Sequence, residues 1–169
     1  ITGTFKTADG QALINSNVVL YINGEHHTVK TDNNGVFTYT FKATNIGENT
    51  ITATYEGNTR YNAAENVTTT LTVDKKDTII TINPMSAVKK GDSVTVKGTF
   101  KDSTGAALIK STVIVYINGE HHTIKTDNKG VYNYTFTAKK IGENEIKVVY
   151  NGNTKYNAYE TKTTLTVNE

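Results

Sequence analysis

The 169-residue sequence predicts an all-β protein built as two antiparallel β-sandwiches in tandem. Three observations carry that prediction: a strand-forming composition, an internal duplication, and apolar residues that alternate with polar ones between turn signals. Threonine occurs 31 times and tyrosine ten times, against one proline, one methionine and no tryptophan. β-Branched and aromatic side chains fit a pleated, half-buried surface, so this vocabulary favours strands. No stretch carries the 3.6-residue apolar period of a helix.

Adding 95 to each residue number from Thr2 to Glu65 lands on its counterpart from Lys97 to Glu160 without a gap, and 41 of the 64 pairs are identical. Two copies of one domain follow. After Glu65 the first copy carries one extra residue, so "LTV" at 71–73 aligns with "LTV" at 165–167. Domain 1 is expected at 1–73 and domain 2 at 77–169. Asp74-Lys75-Lys76 between them is too short for a flexible tether, which predicts units placed end to end. The second copy opens with "DTIITINPMSAVKKGDSVTV" (77–96), whereas the first starts inside the equivalent of its second strand. Domain 1 is therefore expected to lack its opening strand, by truncation, by loss of the segment, or because another chain supplies it by strand addition. Self-association through that unpaired edge is a corollary.

In the complete copy about seven strands are expected, at 77–82, 92–101, 112–118, 120–126, 131–138, 144–150 and 161–167. The first alternates as far as the turn at Lys90-Gly91-Asp92. The second points Val94, Val96, Gly98 and Phe100 inward, with Phe5 the equivalent of Phe100. Asn118-Gly119 joins the third and fourth strands, as Asn23-Gly24 does in the first copy; "NG" suits a type I′ hairpin, where both central residues need positive φ. "TDNKG" (126–130) and "TDNNG" (31–35) make the next turn, with Asp accepting local backbone donors and Gly taking the left-handed position. Tyr132, Tyr134 and Phe136 then face inward, as do Phe37, Tyr39 and Phe41. In the sixth strand Ile146, Val148 and Tyr150 oppose Glu145, Lys147 and Val149; the first copy's Ile51, Ala53 and Tyr55 against Thr50, Thr52 and Thr54 decide which side is buried. Leu165 and Val167, with Leu71 and Val73, close the inner face. Strand number and turn spacing are those of an Ig-like sandwich.

The net charge is +2 and lysines are interspersed with acids, so neither a nucleic-acid footprint nor a polybasic membrane surface is present. Without cysteine there is no disulfide, thiolate metal site or thiol nucleophile. Small extracellular domains usually supplement a small core with disulfides, so here the core must suffice. No apolar run is long enough for direct membrane insertion, and "ITGTFKTADG" is neither signal peptide nor anchor; both are expected outside this segment. No serine stands on a nucleophile elbow and no glycine loop cradles phosphate, so neither catalysis nor a cofactor is expected.

The hairpin "NG", then "TD-x-x-G" before an aromatic strand, "G-x-N-x-I" into a strand ending in Tyr, "G-N-T-x-Y-N-A", and a closing "L-T-V" occur in this order twice. This set resembles the bacterial-type Ig-like repeats of large cell-surface adhesin-like proteins, in particular those of methanogenic archaea, over essentially the whole chain. The resemblance implies an extracellular stalk segment whose stiff sandwiches hold a distal binding region away from the cell. It also admits an adhesive module that contacts a glycan or protein on neighbouring cells. Divergent loops would favour binding; these are nearly identical, which favours the spacer.

Candidate sites are few. All four histidines lie in two copies of "YINGEHHT". Adjacent residues of a strand face opposite sides, so each copy offers a metal only Glu25 with His27, or Glu120 with His122. Zinc needs three or four converging ligands, and equivalent hairpins in an end-to-end array lie roughly 40 Å apart, which favours a solvated edge strand. Asp32 with Asn33 and Asn34, and Asp127 with Asn128, offer oxygens to calcium but lack the alternating acids of a dedicated loop. Tyr61, Asn62, Tyr156, Asn157 and Tyr159 belong to loops whose chemistry suits sugar stacking and hydrogen bonding. In the resembled family the same loop is a structural corner. Surface adhesins also join Lys to Asn in isopeptide bonds beside a carboxylate. Lys6 or Lys101, Asn62 or Asn157, and Glu65 or Glu160 match by type, but Lys6 follows inward Phe5 and should face solvent. Asn66 and Asn133 fit the glycosylation pattern.

Overall fold

A computed structural model describes residues 1–169 as fourteen strands and no helix. The fold is the expected all-β, Ig-like sandwich. The chain divides into two compact units, Ile1–Asp74 and Lys75–Glu169.

Unit 2 contains β7 (Thr78–Ile80), β8 (Val88–Lys89), β9 (Ser93–Asp102), β10 (Thr112–Ile117), β11 (Glu120–Lys125), β12 (Val131–Thr137), β13 (Gly142–Tyr150) and β14 (Tyr159–Asn168). One sheet has the order β12-β9-β7 and the other β11-β10-β13-β14-β8. Inward residues of the sequence pattern meet between them: Val96, Phe100, Tyr132, Ile146, Val148 and Leu165 are all 0% exposed, and Val113 and Val115 of β10, which the pattern did not single out, are buried with them. Burying each such side chain stabilises the unit by about 1.5–3 kcal/mol. Burial also pushes the Tyr132 phenol above its ordinary range, so its hydroxyl remains a donor to the Thr81 carbonyl at 2.5 Å.

The opening segment departs from expectation in two ways. It does not form one strand with a turn; it crosses from one sheet to the other. β7 pairs antiparallel with β9, and β8 pairs parallel with β14 through Val88↔Val167 and Lys89↔Asn168. Pro84 lies at the crossing, where a residue without an N–H ends a ladder. Two residues are too few to show alternation, so β8 left no periodic signal. Lys76, expected in the linker, is hydrogen-bonded into unit 2: its N–H donates to Lys155 O at 3.0 Å and its carbonyl accepts from Asn157 N at 2.8 Å.

Unit 1 contains β1 (Thr2–Thr4), β2 (Asn17–Ile22), β3 (Glu25–Lys30), β4 (Val36–Thr38), β5 (Gly47–Tyr55) and β6 (Ala64–Val73), in sheets β1-β4 and β3-β2-β5-β6. Its buried apolar cluster is Val18, Leu20 and Phe37, with Phe5, Tyr39 and Ala53 only partly covered. One inward assignment is corrected: Leu71 is 38% exposed, whereas its counterpart Leu165 is fully buried. Alternation placed Leu71 on the correct face of β6, but no equivalent of residues 77–89 covers that face in unit 1. The residue added after Glu65 appears as a β-bulge. Ala53 pairs with Val67 and Tyr55 with Ala64, so β6 advances three residues where β5 advances two. The corresponding ladder from Gly142↔Val167 to Tyr150↔Tyr159 is unbroken.

Candidate functional site

The "NG" turns form as expected. Asn23 and Gly24 have φ of 50° and 88°, as do Asn118 and Gly119, the type I′ signature. They deliver β3 and β11 to sheet edges, and the histidines alternate across them. His26 and His121 are both exposed on one side. His27 and His122 turn to the other and stack on aromatic rings of the facing sheet, His27 on Tyr39 at 4.7 Å and His122 on Tyr134 at 4.4 Å. The Tyr39 hydroxyl lies 3.0 Å from His27 Nδ1. Glu25 approaches His27 Nε2 at 4.0 Å and Glu120 approaches His122 at 3.7 Å. The candidate metal residues are thus brought together in pairs. No group of three His, Cys, Asp or Glu side chains forms, so neither pair gains the third ligand zinc requires. Each pair lines a polar depression, of about 320 Å³ beside His27 and about 380 Å³ beside His122.

The Tyr-Asn loops are corners with an internal logic. Asn58 Oδ1 accepts from the N–H groups of Arg60 and Tyr61, both at 2.8 Å, and Asn153 Oδ1 accepts from Lys155 and Tyr156, also at 2.8 Å. These Asx turns bring Ala63 N and Ala158 N against Gly57 and Gly152, which have φ of 85° and 79° and no room for a Cβ. Tyr156 and Tyr159 lie partly buried against the unit 2 core. Asn157 Nδ2 donates to Asp77 Oδ1 at 2.8 Å, so its side chain holds the incoming strand. Tyr61 is half-buried and Asn62 exposed, without that strand.

The aspartate turns are likewise occupied. Asp32 Oδ1 accepts from Asn34 N and Val36 N, and Asp127 Oδ1 from Lys129 N and Val131 N, at 2.7–2.9 Å. The Val131 and Lys129 N–H groups hold the Asp127 carboxyl below its usual range. Lys6 is exposed, as its parity predicted, and so are Lys101, Asn66 and Asn133.

Sequence reading missed an asparagine pair in each unit. Asn49 and Asn144 are 3% and 4% exposed. Asn144 Oδ1 accepts from Asn118 Nδ2 at 2.7 Å, its own Nδ2 donates to the Lys140 and Gly142 carbonyls, and Asn118 Oδ1 caps Glu145 N at 3.0 Å. Unit 1 repeats this with Asn23 and Asn49. The hairpin is thereby tied to the loop entering β13, or β5 in unit 1, the neighbouring strand of its sheet, which accounts for the recurring "GEN". The signal was present in the two motifs, 26 residues apart, but nothing local joins them. Asn144→Ala is expected to lower unit 2 stability by about 2 kcal/mol, since it orphans buried polar groups; a thermal melt checks this.

A second missed feature is an apolar cleft of about 270 Å³ in unit 1, open between its sheets and lined by residues including Ile1, Phe5, Leu20, Phe37, Ala53 and Val67.

No protein-family model matches this chain, and no curated protein does. Among solved structures it is similar to a 1.5-MDa bacterial ice-binding adhesin, at 18% identity and a TM-score of 0.43 over 93% of this chain and 55% of that one. It is similar to a Ca²⁺-stabilised adhesin with which an Antarctic bacterium binds ice, at 21% identity and a TM-score of 0.39 over 99% and 43%. A tetra-tandem repeat from the extending region of a large adhesion protein matches at 15% identity and a TM-score of 0.43 over 92% and 42%. The chain thus spans about half, or less, of the length of these structures.

Proposed function

We propose that the two units are non-catalytic spacer repeats of a surface-exposed, adhesin-like protein, and that they carry tension along the chain. The supporting observation is the parallel pairing of β8 with β14 in unit 2. β8 belongs to the segment by which the chain enters the unit and β14 to the one by which it leaves. Tension between the ends of the unit draws two parallel strands along each other, so their hydrogen bonds are loaded together instead of opening one after another. Lys90 N–H to Asn168 O at 2.8 Å extends the closure. The duplicated polar motifs fit this reading because their hydrogen bonds hold backbone in place, and no buried side-chain polar atom lacks a partner. An extracellular setting, and kinship with the surface repeats of methanogenic archaea, follow from the motif resemblance and stand with this proposal.

Pulling single molecules from their ends is the test. Two unequal rupture events are expected, the stronger from unit 2 and lowered by Val88→Pro, which interrupts β8. Equal events, or a Val88→Pro chain as strong as the parent, would overturn the mechanical reading. The repeated His-edge depressions favour one second reading, an adhesive module for glycan or protein on neighbouring cells. Saturable binding to a panel of microbial glycans or whole cells, lost in His27→Ala/His122→Ala or in Tyr61→Ala/Tyr156→Ala, would replace the spacer with that module.

A further inference from the structure

The larger sheets of the two units repeat one set of ladders, yet their outer faces carry different chemistry. Along β5 and β13 the inward residues match in kind, Ile51 and Ala53 against Ile146 and Val148. The outward ones do not. Thr50, Thr52 and Thr54 stand where unit 2 has Glu145, Lys147 and Val149, and Thr68 of β6 stands where β14 has Lys162. Unit 2 builds the same ladders with charged residues, so strand formation does not require threonine at these positions. Loss of charge from an exposed sheet face also works against solubility, so maintaining the fold gives no reason for it.

The consequence falls on one aromatic ring. Tyr21 and Tyr116 occupy equivalent places, and each has a histidine on one flank at the same 45° tilt, His26 at 6.2 Å and His121 at 6.1 Å. On the other flank they differ. Lys147, paired with Tyr116 across the sheet, lays its ammonium over the phenol ring, 4.7 Å from the centroid. Thr52, paired with Tyr21, is too short to cover a ring, and Tyr21 is 37% exposed. Beside it the Thr52 and Thr68 hydroxyls lie 3.0 Å apart. One hydrogen bond joins them, so one O–H of the two is free for another molecule. Tyr21, the three threonines of β5 and Asn66 line a shallow groove of about 600 Å³, in which Glu56 is the only charged residue. At the β-bulge Asn66 joins this groove and Glu65 turns to the other side of the sheet, whereas unit 2 keeps Glu160 opposite outward Val149.

We propose that this groove binds an uncharged polysaccharide, with the apolar C–H face of one pyranose ring stacked on Tyr21 and its hydroxyls bonded to Thr50, Thr52, Thr68 and Asn66. The chemistry of the groove selects that class. An open aromatic face offers stacking to a ring that carries C–H groups on one side. Neutral hydroxyls and an amide both donate and accept, as sugar hydroxyls do. The groove holds no cation to recruit a carboxylate or sulfate, and its one carboxylate, Glu56, repels them. Its shallow, open form suits a chain lying across it, where an enclosed cavity would suit a small ligand. Unit 1 alone carries this chemistry, so the two repeats are alike as spacers and unlike as surfaces.

The test is electrophoresis of the full chain through gels containing a β-glucan, an α-mannan, a galactan or the carboxylated polysaccharide alginate. Retardation by at least one of the three neutral polymers is expected, and none by alginate. Thr52→Lys gives Tyr21 the cover that Lys147 gives Tyr116, and it should fold as the parent does because unit 2 carries lysine at the same place. Thr52→Lys and Tyr21→Ala should each weaken binding by about tenfold or more. Tyr116→Ala should leave it intact, as should Tyr61→Ala/Tyr156→Ala and His27→Ala/His122→Ala, which separates this groove from the loops and the His-edge depressions. No retardation by any neutral polymer overturns the proposal. So does binding that survives both Thr52→Lys and Tyr21→Ala, or binding shared with alginate. A dimer of the free chain that Thr52→Lys disperses also overturns it, since the face is then covered by a second copy. Nothing here is read from force, so failure leaves the spacer reading standing.

Discussion

Phe100→Ala is expected to destabilise unit 2 by about 3–5 kcal/mol, while the equivalent Phe5→Ala destabilises unit 1 by about half that or less. Both phenyl rings come from the same repeat position and both pack against a tyrosine at 4.7 Å, Phe100 on Tyr150 and Phe5 on Tyr55. They differ in what lies over them. Phe100 is fully enclosed, so its removal leaves a cavity whose walls are held by two complete sheets. Phe5 lines a cleft already open to solvent, so less apolar area leaves water and the walls are free to relax. Urea unfolding of the parent should show two transitions, unit 1 first. In Phe100→Ala the later one should move to lower urea with little change in the earlier one. Equal shifts for the two variants would mean that unit 1 is as well packed as its copy.

Leu71 and Leu165, another pair from one repeat position, mark where sequence pattern stops. Alternation along β9 and β13 named the core residues those strands supply, Val94, Val96, Phe100, Ile146 and Val148, because a period of two assigns faces without knowledge of the partner; Leu108 and Ala138, which lie outside the strands, carried no such signal. It did not show that Leu71 would be exposed while Leu165 is buried. Parity says which way a side chain points, and burial depends on whether another segment arrives there. The histidine pairs were legible for a similar reason: adjacent strand residues diverge, so His26 could not join His27 at one metal. The Asn118–Asn144 clamp was not, because it joins two loops through tertiary contact alone. β8 was hidden by its length, and the unit 1 cleft by the fact that it is made of residues that, in the other copy, are simply core.

Gly98→Ala carries the largest effect expected of a single methyl group, and it separates the two units most sharply. A Cβ at residue 98 meets a backbone oxygen, that of Thr81, and has the Tyr132 hydroxyl beside it. Neither is the free end of a flexible side chain, so the opening segment must lift away. Lifting it breaks the Thr81 and Asn83 backbone bonds and the Tyr132 hydrogen bond, and exposes Ile80 and Ile82. The loss should be about 4 kcal/mol or more, since overpacking and lost burial add. Gly3→Ala places its methyl against the tip of the Phe37 ring, which can turn into the open cleft, and should cost about 1–2 kcal/mol. Hydrogen exchange decides the mechanism. Faster exchange at Thr81 and Asn83 in Gly98→Ala, with the β13–β14 ladder still protected, would mean that the opening strand is a separable layer and that its removal gives unit 2 the condition of unit 1. Uniform loss of protection across unit 2 would mean instead that the opening strand and the rest of the sandwich form one cooperative unit, and that unit 1 stands without such a strand only because its own core, around Phe37 and Leu20, has closed differently.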